Sequence, residues 1–138
     1  MKRAFIDSNI IVYANDSNAG VKQHQAIDIV KTHLLKRSGV ISTQVMQEYA
    51  NFAITKLNQE SSVVLRQLRL LENFQLAPIT SKTTRRAVEI LTTYQISFWD
   101  ANIIAAAEVA ECELILSEDL NTGQFYAGIE VVNPFTSS

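Results

Sequence analysis

The chain has 138 residues, of which 47% are hydrophobic and 19% charged, an ordinary balance for a globular protein. Its single cysteine, Cys112, excludes an intramolecular disulfide and fits a reducing compartment. The net charge of −2 conceals a segregation, because all 12 Lys and Arg precede residue 87 and 8 of the 14 acids follow it. If this segregation survives folding, one face suits polyanions and another suits cations; two ordinary solvated faces are the alternative.

The length predicts one domain, residues 1–138. The N-terminal sequence MKRAFIDSN has an apolar run that Asp7 interrupts far too early for a signal peptide. No segment approaches the roughly 18 uninterrupted apolar residues of a membrane span. The sequence therefore predicts a cytoplasmic protein without a membrane segment.

Short apolar segments alternate along the chain with amphipathic ones. Strands are predicted at 3–6, 40–41, 76–79, 113–116 and 129–132, and an apolar segment of unassigned type covers 10–13. Helices are predicted at 21–36, from 43 to about 57, from 61 or 62 through 71, from 81 to about 94 and from 97 to about 111. This alternation predicts an α/β fold with a mainly parallel sheet, in which ligands bind beyond the carboxyl ends of strands.

Four acidic residues occupy comparable places in these elements. Asp7 directly follows the first strand, and Asp119 follows the fourth after two residues. Glu48 lies about one turn into the helix after the second strand, and Asp100 lies in the first turn of its own helix. Singly, each has an ordinary role as a cap, a loop acid or a surface residue. Jointly, four converging carboxylates would repel one another unless a cation bound there, and hard oxygen ligands suit Mg²⁺ or Mn²⁺.

Asp100 lies in the segment SFWDANII, where a carboxylate interrupts an apolar run. We expect Asp100 to reach the sheet edge from the helix start while Phe98 and Trp99 anchor that turn in the core.

A carboxylate-bound divalent ion can activate water and neutralise a phosphodiester during cleavage. Residues 5–14, 42–51, 97–107 and 116–124, which read FIDSNIIVYA, STQVMQEYAN, SFWDANIIAAA and LSEDLNTGQ, together resemble the PIN-domain ribonucleases, and among them the short bacterial VapC-type toxins.

The resemblance implies a three-layer α/β/α sandwich around a parallel sheet of four or five strands, and Mg²⁺- or Mn²⁺-dependent cleavage of single-stranded RNA. It implies that Asp7, Glu48, Asp100 and Asp119 are the catalytic and metal-binding acids. By the same resemblance, three further residues support the site. Asn9 would orient Asp7 or the site's water, Thr43 would supply a hydroxyl, and Glu118 would assist or replace Asp119.

The resemblance also implies a cognate antitoxin and a homodimer, for which the helix at 64–71 is a possible dimer face or part of the core. For the RNA groove, six basic residues are candidates, with ordinary solubilising residues as the alternative. These candidates are Lys56, Arg66, Arg69, Lys82, Arg85 and Arg86.

Three other functions stay open at this point: a non-toxin PIN nuclease, a metal-dependent phosphatase, and a non-catalytic RNA-binding module. A phosphatase with a covalent aspartyl intermediate usually needs a second Asp two residues after the first, and Asn9 stands there.

Overall fold

Strands and helices alternate along the chain in the computed structural model, which describes residues 1–136. The predicted end of the domain at residue 138 lies outside the described residues. The strands are β1 (Ala4–Ile6), β2 (Gly39–Ser42), β3 (Gln75–Ala77), β4 (Leu114–Leu116), β5 (Phe125–Tyr126) and β6 (Ile129–Val132). The helices are α1 (Ser8–Ala14), α2 (Val21–Lys36), α3 (Thr43–Thr55), α4 (Ser61–Leu71), α5 (Ser81–Tyr94) and α6 (Phe98–Val109).

The strands form one sheet in the order β3-β2-β1-β4-β6-β5. All neighbouring strands are parallel except β5, which runs antiparallel to β6. The predicted mainly parallel sheet is therefore confirmed. Its sixth strand, β5, has two residues beside a turn, and so short a segment gives no strand pattern in the sequence.

The helices cover both faces of this sheet. The chain steps from β1 to β2 to β3 in one direction and then returns to β4 on the other side of β1. Because parallel crossovers are right-handed, α1 to α4 lie on one face and α5 and α6 on the other. The packing agrees, since α1 contacts α2 and α3, whereas α5 packs against α6. The result is the expected three-layer α/β/α sandwich.

Helix α6 is buried almost all round. Every residue from Ala101 to Ala107 is buried, and a helix that is apolar on nearly every side belongs in a core. Cys112, just after it, is also buried, and burial raises the pKa of its thiol to about 12. The thiol is therefore protonated at neutral pH and packs as a small apolar group.

The start of α6 differs from the sequence prediction. Phe98 is partly buried against the core as expected, but Trp99 is 63% exposed. Consecutive helix residues point about 100° apart, so the two aromatic rings cannot both face the core. The expectation that Trp99 anchors this turn is therefore wrong.

Two further segments gain a definite structure. The unassigned apolar segment 10–13 belongs to α1, which buries Ile10 and Ile11. The apolar side chains of the possible dimer face on α4 are divided between core and surface, because Val64 and Leu71 are buried whereas Leu65 is 53% exposed. Within residues 1–136, no helix is both long and apolar enough to cross a membrane.

Candidate active site

The candidate site lies where the strand order reverses. Strands β2 and β3 lie on one side of β1, and β4 and β6 lie on the other. The crevice at the carboxyl ends of β1 and β4 is the usual ligand position in such sheets. Asp7 follows β1 directly, and the segment Ser117 to Asp119 follows β4.

Asp7 is a buried carboxylate, 6% exposed, at the N-cap of α1. One oxygen, Oδ1, accepts a bond of 2.7 Å from the Ser8 backbone N–H, and Oδ2 accepts one of 2.7 Å from the Ser117 hydroxyl. Burial nevertheless raises the pKa of Asp7 to about 6, against the lowering effect of these two bonds. The charges of Glu48 and Asp119 raise it further. Asp7 is thus held in place while its charge is poorly stabilised.

Asn9 joins two of the predicted acids. Its Nδ2 lies 3.4 Å from Asp7 Oδ2 and 3.2 Å from Asp119 Oδ2. Its Oδ1 accepts the Glu118 backbone N–H at 3.2 Å, which ties α1 to the loop after β4. The positive end of the amide dipole therefore lies between the two carboxylates.

Ser117 is a residue of the site that the sequence prediction missed. It is fully buried, and besides donating to Asp7 its Oγ accepts the backbone N–H of Asp119 at 3.2 Å and lies 3.4 Å from the Leu120 N–H. Its position as the first residue after an apolar strand was the available signal. One hydroxyl thus fixes both Asp7 and the turn that carries Asp119.

Glu48 reaches the same crevice from α3. Glu48 is exposed as a residue, but partial burial of its carboxyl raises its pKa. Hydrogen bonding by the Ser8 and Gln44 side chains lowers this pKa, and the charges of Asp100 and Asp119 raise it again. Glu48 and Asp119 line a pocket of about 420 Å³ that Asn9 also borders. Ser8 lines the same pocket, and the sequence prediction did not include it.

Asp100 lies at the edge of this group. The Ser97 hydroxyl caps α6 by accepting the Asp100 backbone N–H at 3.1 Å. The Asp100 carboxylate is close enough for its charge to raise the pKa of Glu48 and that of Tyr126. The charges of Asp100 and Asp119 thus act on the pKa of Glu48, and those of Glu48 and Asp119 act on the pKa of Asp7.

The supporting residues Thr43 and Glu118 differ in their relation to this pocket, because Glu118 borders it and Thr43 does not. Thr43 is exposed and lines a neighbouring pocket beside Trp99, not the pocket of Glu48 and Asp119. Glu118 accepts hydrogen bonds from Lys22 Nζ and, at 2.6 Å, from the Tyr13 hydroxyl. Partial burial would raise the pKa of Glu118, but these two bonds and the Lys22 charge keep it below its usual value. The ion pair with Lys22 occupies the Glu118 carboxylate.

The predicted basic residues lie outside both pockets at this edge. Lys56 ends α3, and the exposed Arg66 and Arg69 lie on α4. Arg86 is engaged by Glu108, with bonds of 2.7 and 3.0 Å, and lies 3.6 Å from Glu89.

Lys82 and Arg85 are exposed on α5, within about one turn of each other. Of the six basic candidates, Arg86 is the one whose charge is matched by acids in the described chain.

The charge and donor chemistry of the site fit a hard divalent cation. None of the ion pairs formed within residues 1–136 includes Asp7, Glu48, Asp100 or Asp119. All four offer carboxylate oxygens, the ligands that Mg²⁺ and Mn²⁺ prefer. Over the same residues, no three Asp, Glu, His or Cys side chains are already grouped to hold one ion. Binding would therefore require the exposed acids to turn toward Asp7.

Fold and site together define an α/β domain whose acidic residues gather at the switch point of a parallel sheet. A family model described as the PIN domain matches residues 4–127. The chain therefore belongs to the PIN-domain family. No significant match was found among curated proteins.

Solved structures share the fold across nearly the whole chain. A toxin–antitoxin complex from Klebsiella pneumoniae has 23% identity and a TM-score of 0.70, covering 96% of this chain and 98% of its own. VapC20 of Mycobacterium tuberculosis, a sarcin–ricin loop cleaving toxin, has 15% identity and a TM-score of 0.67, with 92% and 98% covered. FitAcB from Neisseria gonorrhoeae has 19% identity and a TM-score of 0.68, with 96% and 98% covered.

Proposed function

We propose that the protein is an endoribonuclease that hydrolyses phosphodiester bonds of single-stranded RNA with the help of Mg²⁺ or Mn²⁺. The observation that carries this proposal is the cluster of interacting acids at the switch point, where Asp7 is buried without a cationic partner in residues 1–136. A site that concentrates negative charge in this way favours cations, and through them phosphate. Membership of the PIN-domain family supports a nuclease.

Each acid has a distinct part in this proposal. Asp7 and Asp119, held by Asn9 and Ser117, would hold the ion together with Asp100. When bound, the ion activates water and neutralises charge on the phosphate. Glu48 is a ligand or a base, and its raised pKa favours acceptance of a proton from the attacking water. In-line attack then leaves a 5′-phosphate and a 3′-hydroxyl without a covalent intermediate.

Removal of divalent ions is expected to stop RNA cleavage, because the carboxylates repel both phosphate and one another without a cation. A labelled single-stranded RNA is incubated with the protein after chelation, and Mg²⁺ or Mn²⁺ is then added back. Cleavage should be undetectable before addition and return after it. Persistent cleavage in chelator would contradict the metal-dependent mechanism.

The same assay separates the alternative functions. A phosphomonoester is the control substrate, and its hydrolysis without RNA cleavage would indicate a phosphatase. RNA binding without turnover in either metal would indicate a non-catalytic binding module. Asn9, which binds both Asp7 and Asp119, stands where an aspartyl phosphatase would need a second acid.

We further propose that exposed basic side chains guide the RNA backbone toward the acids. Arg86 is excluded because its guanidinium binds Glu108, which leaves Lys56, Arg66, Arg69, Lys82 and Arg85. RNA affinity should fall as salt rises, with a logarithmic slope of about 0.7 per phosphate contact. Lys82→Ala with Arg85→Ala should lower this slope by about 1.4, for two lost contacts. If the RNA affinity of the wild type did not change with salt concentration, a basic RNA path would be contradicted.

We propose that the protein is the toxin of a toxin–antitoxin pair and acts in the cytoplasm as a homodimer. Toxin–antitoxin complexes among the structural neighbours support this. The pocket of Glu48 and Asp119 also has apolar walls at Val12 and Phe52. An antitoxin segment with apolar side chains and an Arg in place of the cation would complement it. A small neighbouring reading frame for a DNA-binding protein would support this role over a housekeeping nuclease.

A further inference from the structure

A second pocket, of about 470 Å³, lies beside the acidic one at the carboxyl edge of the sheet. It lies among the first turn of α3, the first turns of α5 and the start of α6. Six of its lining side chains matter here: Thr43, Gln44, Thr84, Phe98, Trp99 and Asn102. Its size is within the range of about 300–1,000 Å³ that is usual for small-ligand pockets.

Trp99 gives this pocket a large aromatic wall. Its side chain is 63% exposed, although Trp is usually well buried. Phe98 packs against the core and contacts the Trp99 ring edge-to-face, with centroids 5.1 Å apart and planes at 82°. The indole is thus supported from one side and open on another, which is the geometry of a stacking platform.

Two buried amides connect α3 with the start of α6 at this pocket. Asn102 is 3% exposed and Gln44 is 5% exposed. Asn102 Nδ2 donates to Gln44 Oε1 at 2.7 Å, and Gln44 Nε2 donates to the Trp99 carbonyl at 3.3 Å. The carbonyl of Trp99 can only accept, so it fixes the orientation of both amides.

This orientation leaves Asn102 Oδ1 without a hydrogen-bond partner in the described chain. A buried acceptor left unpaired is costly, and such groups call for an explanation such as a missing ligand. Asn102 itself lines the pocket, beside the open indole. The pocket therefore combines a stacking surface with a residue that has an unused acceptor. Because Oδ1 is itself shielded from solvent, a shift of the Asn102 side chain would have to open it to an N–H group of a ligand.

The same amides connect this pocket to the acids. Gln44 lies one turn before Glu48 on α3, and Trp99 directly precedes Asp100. An occupant of the pocket would therefore lie next to the carboxylates. We propose that the pocket binds one nucleobase of the RNA substrate, stacked on Trp99 and donating an N–H to Asn102 Oδ1. This inference rests on the proposed ribonuclease function and assigns it a base subsite.

Trp99 is the chain's one tryptophan, so its fluorescence reports on this pocket alone. The full-length Asp7→Asn protein, which should not cut RNA, is titrated with a short single-stranded RNA. Trp99 emission should be quenched in step with binding measured by anisotropy of labelled RNA. Nucleoside monophosphates should quench it at higher concentration, whereas ribose 5-phosphate should not.

Variants of exposed aromatic residues test how much stacking on Trp99 contributes to RNA affinity. Trp99→Ala should weaken RNA binding roughly 5- to 150-fold, the range for one base–aromatic stack. Trp99→Phe should restore most of the affinity. Phe125→Ala, at a residue that is 59% exposed and borders neither pocket, is the matched control and should bind as the parent does.

The role of Asn102 Oδ1 as acceptor is tested with chemically modified RNA. An oligouridylate is compared with one whose bases carry an N3-methyl group, which keeps stacking but removes the N–H. The methylated RNA should bind several-fold more weakly, and equal affinity would overturn the role of Asn102.

RNA that binds and is cleaved while Trp99 emission and Trp99→Ala affinity stay unchanged would overturn the base subsite and leave the nuclease standing. Emission that shifts with protein concentration alone would show a second copy over Trp99, and would also overturn it. A wild type that neither binds nor cleaves RNA would overturn both proposals.

Discussion

Asp7→Asn is expected to lower the rate of RNA cleavage at least about a hundredfold, because a cation at the site contributes several kcal/mol to catalysis. Asp7 is the buried member of the acidic group and contacts the other parts of the site through Asn9 and Ser117. Asn keeps the shape of the side chain and one acceptor oxygen but loses the negative charge. The measurement is the initial rate on labelled single-stranded RNA in saturating Mn²⁺.

Asp28→Asn is the matched control, since Asp28 is an exposed acid on α2 with no part in the site. It should cleave at the wild-type rate. Circular dichroism and thermal unfolding should show that both variants are folded. Wild-type cleavage by Asp7→Asn would refute the assignment of the site.

Asp7→Asn should also stabilise the folded protein in metal-free buffer, by an amount that depends on pH. The pKa of Asp7 rises from 3.8 to about 6 on folding, so the folded state prefers the protonated form. Below about pH 4 the carboxyl is protonated in both states and burial carries little penalty. As pH rises through 6 the carboxyl ionises in the fold and this stability is lost. At pH 7 to 8 the loss is up to about 3 kcal/mol, since each pKa unit corresponds to about 1.4 kcal/mol.

The free energy of unfolding of Asp7→Asn should therefore exceed that of the wild type at pH 8, and the difference should shrink toward pH 4. Urea unfolding at several pH values measures it. Mg²⁺ or Mn²⁺ should stabilise the wild type more than the variant, because a ligand of the folded state adds stability in proportion to its binding. If the difference in free energy of unfolding between the variant and the wild type did not change with pH, the charge of Asp7 would not destabilise the folded protein.

This destabilisation of the metal-free protein by Asp7 is expected of a residue that serves function and not stability. Active sites often keep a destabilised arrangement that the remainder of the fold tolerates. Here the bonds from Ser8 and Ser117 only partly offset burial. Replacement of Asp7 should therefore trade activity for stability, and both effects can be measured on one variant.

The sequence alone determined the architecture, because patterns of apolar residues are local. The strand at 113–116 and the helix at 21–36 were predicted at nearly their observed bounds, and alternation along the chain was enough for a parallel α/β sheet. It also placed Asp7 and Asp119 after their strands, since a strand end is a local feature. The two-residue β5 is too short to give such a pattern.

Only the tertiary structure decided which side chains meet. The contacts of Ser117 with Asp7 and of Lys22 with Glu118 join residues about a hundred positions apart. Arg86 resembled a free cation in the sequence until α6 placed Glu108 against it. Trp99 resembled a core residue, yet Phe98 took the inward position and left the indole exposed. Local pattern fixes the elements because it depends on neighbours in the chain, whereas charge pairing and exposure depend on the partners that packing brings together.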